Sequence, residues 1–139
     1  MIAVQAHFPC RAIRVSRAEV ERWAAFVCSK EKRNKAAMTV VFTDDKGIRP
    51  INRKHLGHND TTDVISFTLE ESPLEGELYI NLEQARRQAA EYGVSPRNEA
   101  ARLVVHGVLH CCGYDDTDPE SKAAMFKKQE RYVKALGVK

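Results

Sequence analysis

The residues of this chain best suited to hold a metal gather in one stretch, Val105-His106-Gly107-Val108-Leu109-His110-Cys111-Cys112-Gly113-Tyr114-Asp115-Asp116. On a helix, His106 and His110 stand about 40° apart viewed down the axis, so both imidazoles project from one face. Two histidines so placed can share one ion. Gly113 then permits the left-handed residue that ends a helix and turns the chain back. Asp116, three residues on, is in reach as a third ligand, which leaves a fourth position for water. Asp115 and Asp118 compete for that role. The pattern His-x3-His-x2-Gly-x2-Asp has the offsets of a metzincin zinc signature with Asp as its last ligand. The 5 histidines among 139 residues give roughly 0.17 accidental pairs at this spacing, and the further Gly and acid cut chance to on the order of one in a thousand. The triad is a signal.

One absence narrows the chemistry. Metalloproteases carry a glutamate after the first histidine, and it activates the water. Here that position is Gly107. A peptidase is disfavoured, and the metal itself or another acid must activate the nucleophile.

The elements that must position these residues read as follows. Met1 to His7 suits a short strand. Ser16 and Glu19 form a capping box for a helix carrying Val20, Trp23, Ala24 and Val27 at helical spacing, ended by the basic stretch Lys30 to Lys35. Thr39 to Thr43 is β-branched and apolar, a buried strand. Asp44 to Leu56 is ambiguous, because Asp44 can cap a helix while Gly47 and Pro50 weaken it. Asp63 to Leu69 alternates as a strand with Ile65, Phe67 and Leu69 on one face, and Glu70 to Gly76 reads as the turn to a return strand over Glu77 to Asn81. Helical patterns follow over Leu82 to Tyr92, Ser95 to Cys112 and Pro119 to about Leu136. The fold class expected is α+β, one domain over 1–139, with a small mixed sheet of about four strands and about five helices.

Composition limits the setting. With 43% hydrophobic and 29% charged residues the chain is too apolar for disorder and ordinary for a globule. The 22 Lys and Arg against 19 Asp and Glu leave a net charge of +3, which permits a nucleic-acid partner without arguing for one. No apolar run is long enough for a membrane span, and the first residues lack the pattern of a signal peptide. Cys10, Cys28, Cys111 and Cys112 form no C-x-x-C pair, so a reducing cytoplasm is the expected setting.

Three blocks resemble one known family. His106-Gly107-Val108-Leu109-His110 with Gly113-Tyr114-Asp115 closely matches the H-G-x-L-H-L-x-G-Y-D-H signature of the YbeY family. Ile51-Asn52, Leu56 and Thr62-Asp63-Val64-Ile65-Ser66-Phe67 resemble its L-N, Y-R and T-D-V-L-S-F block, and Gly76-Glu77-Leu78-Tyr79-Ile80 its G-D-I-x-I strand. The blocks run in the family's order from roughly Asp44 to Asp116. The resemblance implies a zinc-dependent, single-strand-specific endoribonuclease acting in ribosomal RNA (16S) maturation and ribosome quality control. It implies partners, namely single-stranded or ribosomal RNA and the small ribosomal subunit, and one zinc ion per chain on His106, His110 and Asp116.

Two positions depart from the family pattern. Most relatives carry His as the third ligand, where this chain has Asp116, a harder donor that leaves manganese or another divalent metal open. The family's Arg, which resemblance places against RNA or the transition state, falls on Leu56. Arg53, Lys54 and His58 are the nearby candidates for a clamp on phosphate. Two other readings stand beside the nuclease. One is a ribosome-associated RNA-binding factor with a structural metal, which a fourth ligand such as Asp115 or Asp118 would favour. The other is a metallohydrolase of another substrate.

The remaining polar residues read more simply. Cys111 and Cys112 lie about 140° and 240° round the helix from His106, which suits core packing. His55 and His58 read as surface or RNA-facing histidines before a second metal site. Ser66 is a strand hydroxyl or a family site. Lys30 to Lys35, Arg86-Arg87 and Lys127-Lys128-Arg131 read as solvated helix faces.

Overall fold

The computed structural model of the chain describes residues 1–57 and 61–139, with Leu56 described by its backbone alone. Four strands, β1 (Ile2–His7), β2 (Ala36–Thr43), β3 (Val64–Glu71) and β4 (Leu74–Asn81), form one sheet in the order β1-β2-β4-β3. β1, β2 and β4 run parallel, and β3 pairs antiparallel with β4. Five helices complete the described residues: α1 (Arg17–Lys30), α2 (Asp45–Leu56), α3 (Leu82–Tyr92), α4 (Pro96–Cys111) and α5 (Pro119–Leu136). This is the expected α+β architecture.

Local chemistry explains most boundaries. Ser16 and Glu19 complete the capping box of α1, and Asn81, Ser95 and Asp118 cap α3, α4 and α5 through their side chains. The ambiguous segment after β2 is helical. The Asp44 carboxylate accepts from the Gly47 amide at 2.8 Å, and the helix buries Ile48 and Asn52. That burial outweighs Pro50, which removes one backbone donor in the second turn.

Two expectations about the β3–β4 hairpin are corrected. The strands continue to Glu71 and from Leu74, leaving a turn of Ser72 and Pro73 joined by a cis peptide in place of the broader Glu70–Gly76 turn. The register also shifts between Thr68 and Glu70. Leu69 therefore leaves the inward alternation and is 52% exposed, while Ile65 is 3% exposed.

α4 is the centre of the molecule. It packs on β3 and β4 with α1, α3 and α5 around it, and its apolar residues from Ala100 to Cys111 are buried on more than one face. Close contact with β4 depends on two glycines. A Cβ on Gly107 would sit 2.7 Å from Leu78 Cδ2, and a Cβ on Gly76 would sit 2.8 Å from Cys111 Sγ. The position where a protease keeps its glutamate is therefore pressed against Leu78, which would have to shift to admit a side chain. Among the described residues, no helix is long and apolar enough to cross a membrane.

Candidate metal centre and adjoining cavity

α4 carries one polar stripe on its apolar surface. Glu99, Arg102, His106 and His110 fall within an arc of about 80° round the helix. The C-terminal end of the stripe holds the histidines. α4 ends with Cys112 as cap, Gly113 takes φ 103°, and the chain folds back toward α5. This return brings Asp116 to the histidines, with one donor atom from each of the three lying within 4.8 Å of the others. His110 Nε2 stands 3.5 Å from Asp116 Oδ2, and the two imidazoles meet edge to face at 4.6 Å.

Asp116 is singled out from its neighbours by what they do instead. Asp115 Oδ1 accepts from the Thr117 amide at 2.7 Å and from its hydroxyl at 2.8 Å. Those bonds hold the Asp115 carboxyl below its ordinary pKa. Asp118 caps α5, accepting from the amide and hydroxyl of Ser121, both at 2.8 Å. His106, His110 and Asp116 are the one group of three metal-capable side chains among the described residues.

Hydrogen bonds fix which nitrogen of each histidine is available. His110 Nδ1 lies 3.0 Å from the Tyr114 carbonyl, which can only accept, so Nδ1 carries the proton. His106 Nδ1 lies 2.7 Å from Gln129 Oε1. The same amide donates through Nε2 to Glu130 Oε2 at 3.0 Å. A carboxylate only accepts, so the NH2 must face Glu130 and the oxygen must face His106. Both Nε2 lone pairs are thereby left for an ion. Two imidazoles presenting Nε2 and a carboxylate fit a divalent metal with a position to spare.

A further network supports Gln129, which is 6% exposed on α5. Glu130 forms a two-pronged pair with Arg102, through Nε at 2.8 Å and Nη2 at 3.1 Å. Arg102 Nη1 also donates at 2.8 Å to Glu99, which is 2% exposed and accepts from Gln88 at 2.8 Å. Burial alone would raise the Glu130 pKa, but Arg102 and Gln129 outweigh it and hold the carboxyl below its ordinary value. On the other side, Glu31 at the end of α1 accepts from Tyr114 OH at 2.8 Å, from Tyr132 OH, and from Lys128 Nζ at 3.1 Å. Burial would raise the Glu31 pKa too, and these three donors again win. Lys128 also meets Tyr114 OH at 2.6 Å. It is thus a structural cation, a correction to its reading as part of a solvated face. Arg87, paired with Asp45 at 2.7 Å, and Arg33, donating to the Glu71 and Cys112 carbonyls, are likewise engaged.

The other sequence candidates lie elsewhere. Arg53 and Lys54 are exposed in the last turn of α2. His58 lies outside the described residues, as does the side chain of Leu56. His55 sets its ring edge to face against Phe67 at 5.0 Å. Ser66 is half-buried in β3 and pairs with Leu78. Cys111 is buried and Cys112 half-buried, and burial pushes the Cys112 thiol up to about 12, as packing residues require.

A cavity of about 850 Å³ opens beside the metal-capable residues. His106 and Asp116 form part of its wall, with the Gln88–Glu99–Arg102–Glu130 network and the apolar side chains of Tyr92, Val94, Leu103, Met125 and Phe126. Among the described residues, Arg53 and Lys54 are not part of that wall. Sequence reasoning missed Gln129, Arg102, Glu99 and the cavity. The polar stripe at positions 99, 102, 106 and 110 of an otherwise apolar helix was the signal available.

Comparison with known proteins agrees with this architecture. The family model described as Endoribonuclease YbeY matches residues 8–137. A protein of that name from Chloroherpeton thalassium is 39% identical over 119 residues, which is 85% of this chain and 84% of the relative. One from Endomicrobium trichonymphae is 40% identical over 113 residues, covering 81% and 80% respectively. The solution structure of TM1509 from Thermotoga maritima shares the fold, with a TM-score of 0.73 at 24% identity over 96% of this chain and 88% of that one. The chain belongs to the YbeY family of endoribonucleases.

Proposed function

We propose that this chain is a zinc-dependent, single-strand-specific endoribonuclease that acts on ribosomal RNA, in 16S maturation and ribosome quality control. Its setting is the cytoplasm and its partner the small ribosomal subunit. The relatives' name supplies RNA cleavage as the reaction. The observation that carries the reading is the three-donor arrangement of His106, His110 and Asp116, with both Nδ1 protons already committed.

In this mechanism the two Nε2 atoms and the Asp116 carboxylate hold the ion. When bound, zinc supplies a Lewis acid for a phosphoryl oxygen and a lowered pKa for water. Gln129 and the Tyr114 carbonyl keep the imidazoles in the tautomer that presents Nε2. Arg53 and Lys54, with His58, clamp the RNA backbone by charge. Asp115 and Asp118 are occupied by Thr117 and Ser121, which favours an open catalytic site over a closed structural one.

The test is direct. Purified wild type is expected to carry one zinc per chain and to cleave single-stranded RNA, and His110→Ala to lose both while keeping its circular dichroism spectrum. Arg53→Ala and Lys54→Ala are expected to raise KM with zinc content unchanged. Stoichiometric metal without metal-dependent cleavage of any RNA would refute the nuclease reading.

A further inference from the structure

The cavity beside the metal centre has features that the metal does not explain. The described residues include four exposed large hydrophobic side chains, and two of them, Tyr92 at 61% and Phe126 at 60%, belong to this one cavity. They come from different helices, the end of α3 and the outer face of α5. Exposed aromatics gathered at a concave site mark binding surfaces. The volume of about 850 Å³ is within the range of small-ligand pockets.

The charges of the wall select among parts of a nucleotide. Four carboxylates, Asp63, Glu99, Asp116 and Glu130, face two cations, Arg102 and Lys122. Arg102 is already divided between Glu99 and Glu130. With Arg102 so engaged and carboxylates in excess, the part of the wall away from Asp116 suits a neutral, planar, apolar group better than a phosphate. The cavity is also continuous with His106 and Asp116. A chain whose phosphate lies at the metal would therefore have its neighbouring base beside this opening.

Resting on the nuclease reading above, we infer that this cavity is a nucleobase subsite: an unstacked base of the single-stranded substrate, next to the cleaved phosphodiester, packs against Tyr92 and Phe126. Stacking on an aromatic face is tolerant of base identity, so the subsite selects unpaired RNA over duplex without reading sequence. It accounts for single-strand preference by shape.

The experiment uses zinc-loaded full-length protein and a single-stranded RNA oligonucleotide, with a series in which each nucleotide in turn is made abasic. For wild type, an abasic nucleotide next to the cleavage point is expected to raise KM by about 5- to 150-fold, the worth of one base–aromatic stack. Phe126→Ala and Tyr92→Ala are expected to raise KM for intact RNA and to lose discrimination against that abasic oligonucleotide. Both side chains are exposed, and unchanged zinc content and melting temperature would verify that fold and metal site are intact. RNA cleaved with a KM indifferent to the abasic positions and to both substitutions would overturn the subsite and leave the nuclease reading standing. Fully metallated wild type that cleaves no RNA would overturn both.

Discussion

The two histidines of the candidate metal centre are held by different kinds of partner. His110 bonds to the carbonyl of Tyr114, a main-chain atom four residues along the same turn. His106 bonds to the side chain of Gln129, 23 residues away on another helix. The first contact follows from how the end of α4 folds back. The second exists only when α5 is docked with Glu130 on Arg102 and the Gln129 amide turned the right way. One half of the site is therefore assembled by local backbone geometry, and the other by tertiary packing. The packed half is the one that substitution can reach.

Gln129→Leu tests this most sharply. It removes the acceptor for His106 and is expected to weaken zinc affinity by about 10- to 100-fold, the usual cost of losing an outer partner of a metal ligand. Competition with a chromophoric chelator measures it. Wild-type affinity in this variant would mean that His106 needs no partner and that the two halves are equivalent.

Gly107→Ala acts on both halves together, because α4 meets Leu78 between the two ligands. Overpacking costs about 1–3 kcal/mol, offset by about 1 kcal/mol of helix propensity. A net loss of about 1 kcal/mol is expected in urea denaturation of the metal-free protein. A more stable variant would show that Leu78 yields freely.

Acid separates the two sides more gently. Glu130 supports His106, and Glu31 supports the Tyr114 side chain. Both have folded-state pKa values below their ordinary value, so the unfolded chain binds more protons near that pH. The stability they contribute is present above the ordinary glutamate pKa and is lost as pH falls through the folded value. Thermal melts over an acid series are expected to show shallower losses for Glu31→Gln and for Glu130→Gln than for wild type. Only Glu130→Gln should also weaken zinc at neutral pH. Equal weakening by both would erase the asymmetry.

The smallest effect on the metal ligands is expected from Tyr114→Phe. It removes the hydroxyl shared with Glu31 and Lys128, costing about 1 kcal/mol of stability, yet keeps the carbonyl that holds His110. Zinc affinity should match wild type in the same chelator assay.

What was legible in the chain divides along the same line. The i,i+4 histidines, the glycine that ends the helix and the following acid all lie within eleven residues, where helix geometry fixes their positions. The caps Ser16 and Ser95 were legible for the same reason, whereas Asp118 read as a rival ligand and proved to cap α5. Asp44 to Leu56 was not, because the burial of Ile48 and Asn52 that overrides Pro50 depends on neighbours distant in sequence. Leu69 departed from its pattern because a register shift with β4 turned it outward. Local signals also left Asp115, Asp116 and Asp118 open. Only the fold-back showed Thr117 and Ser121 occupying two of them.

The sequence by itself determined the metal-capable histidine pair with acids close behind it, the absence of a protease base and the α+β plan, because each follows from spacing and residue type over short distances. The tertiary structure alone decided that Gly107 is empty because Leu78 fills its place. It likewise decided that Gln129 reaches His106 and that Tyr92 and Phe126 share one cavity. Those contacts join segments tens of residues apart, and their geometry comes from the packing of α3, α4 and α5 on one sheet, which no local pattern encodes.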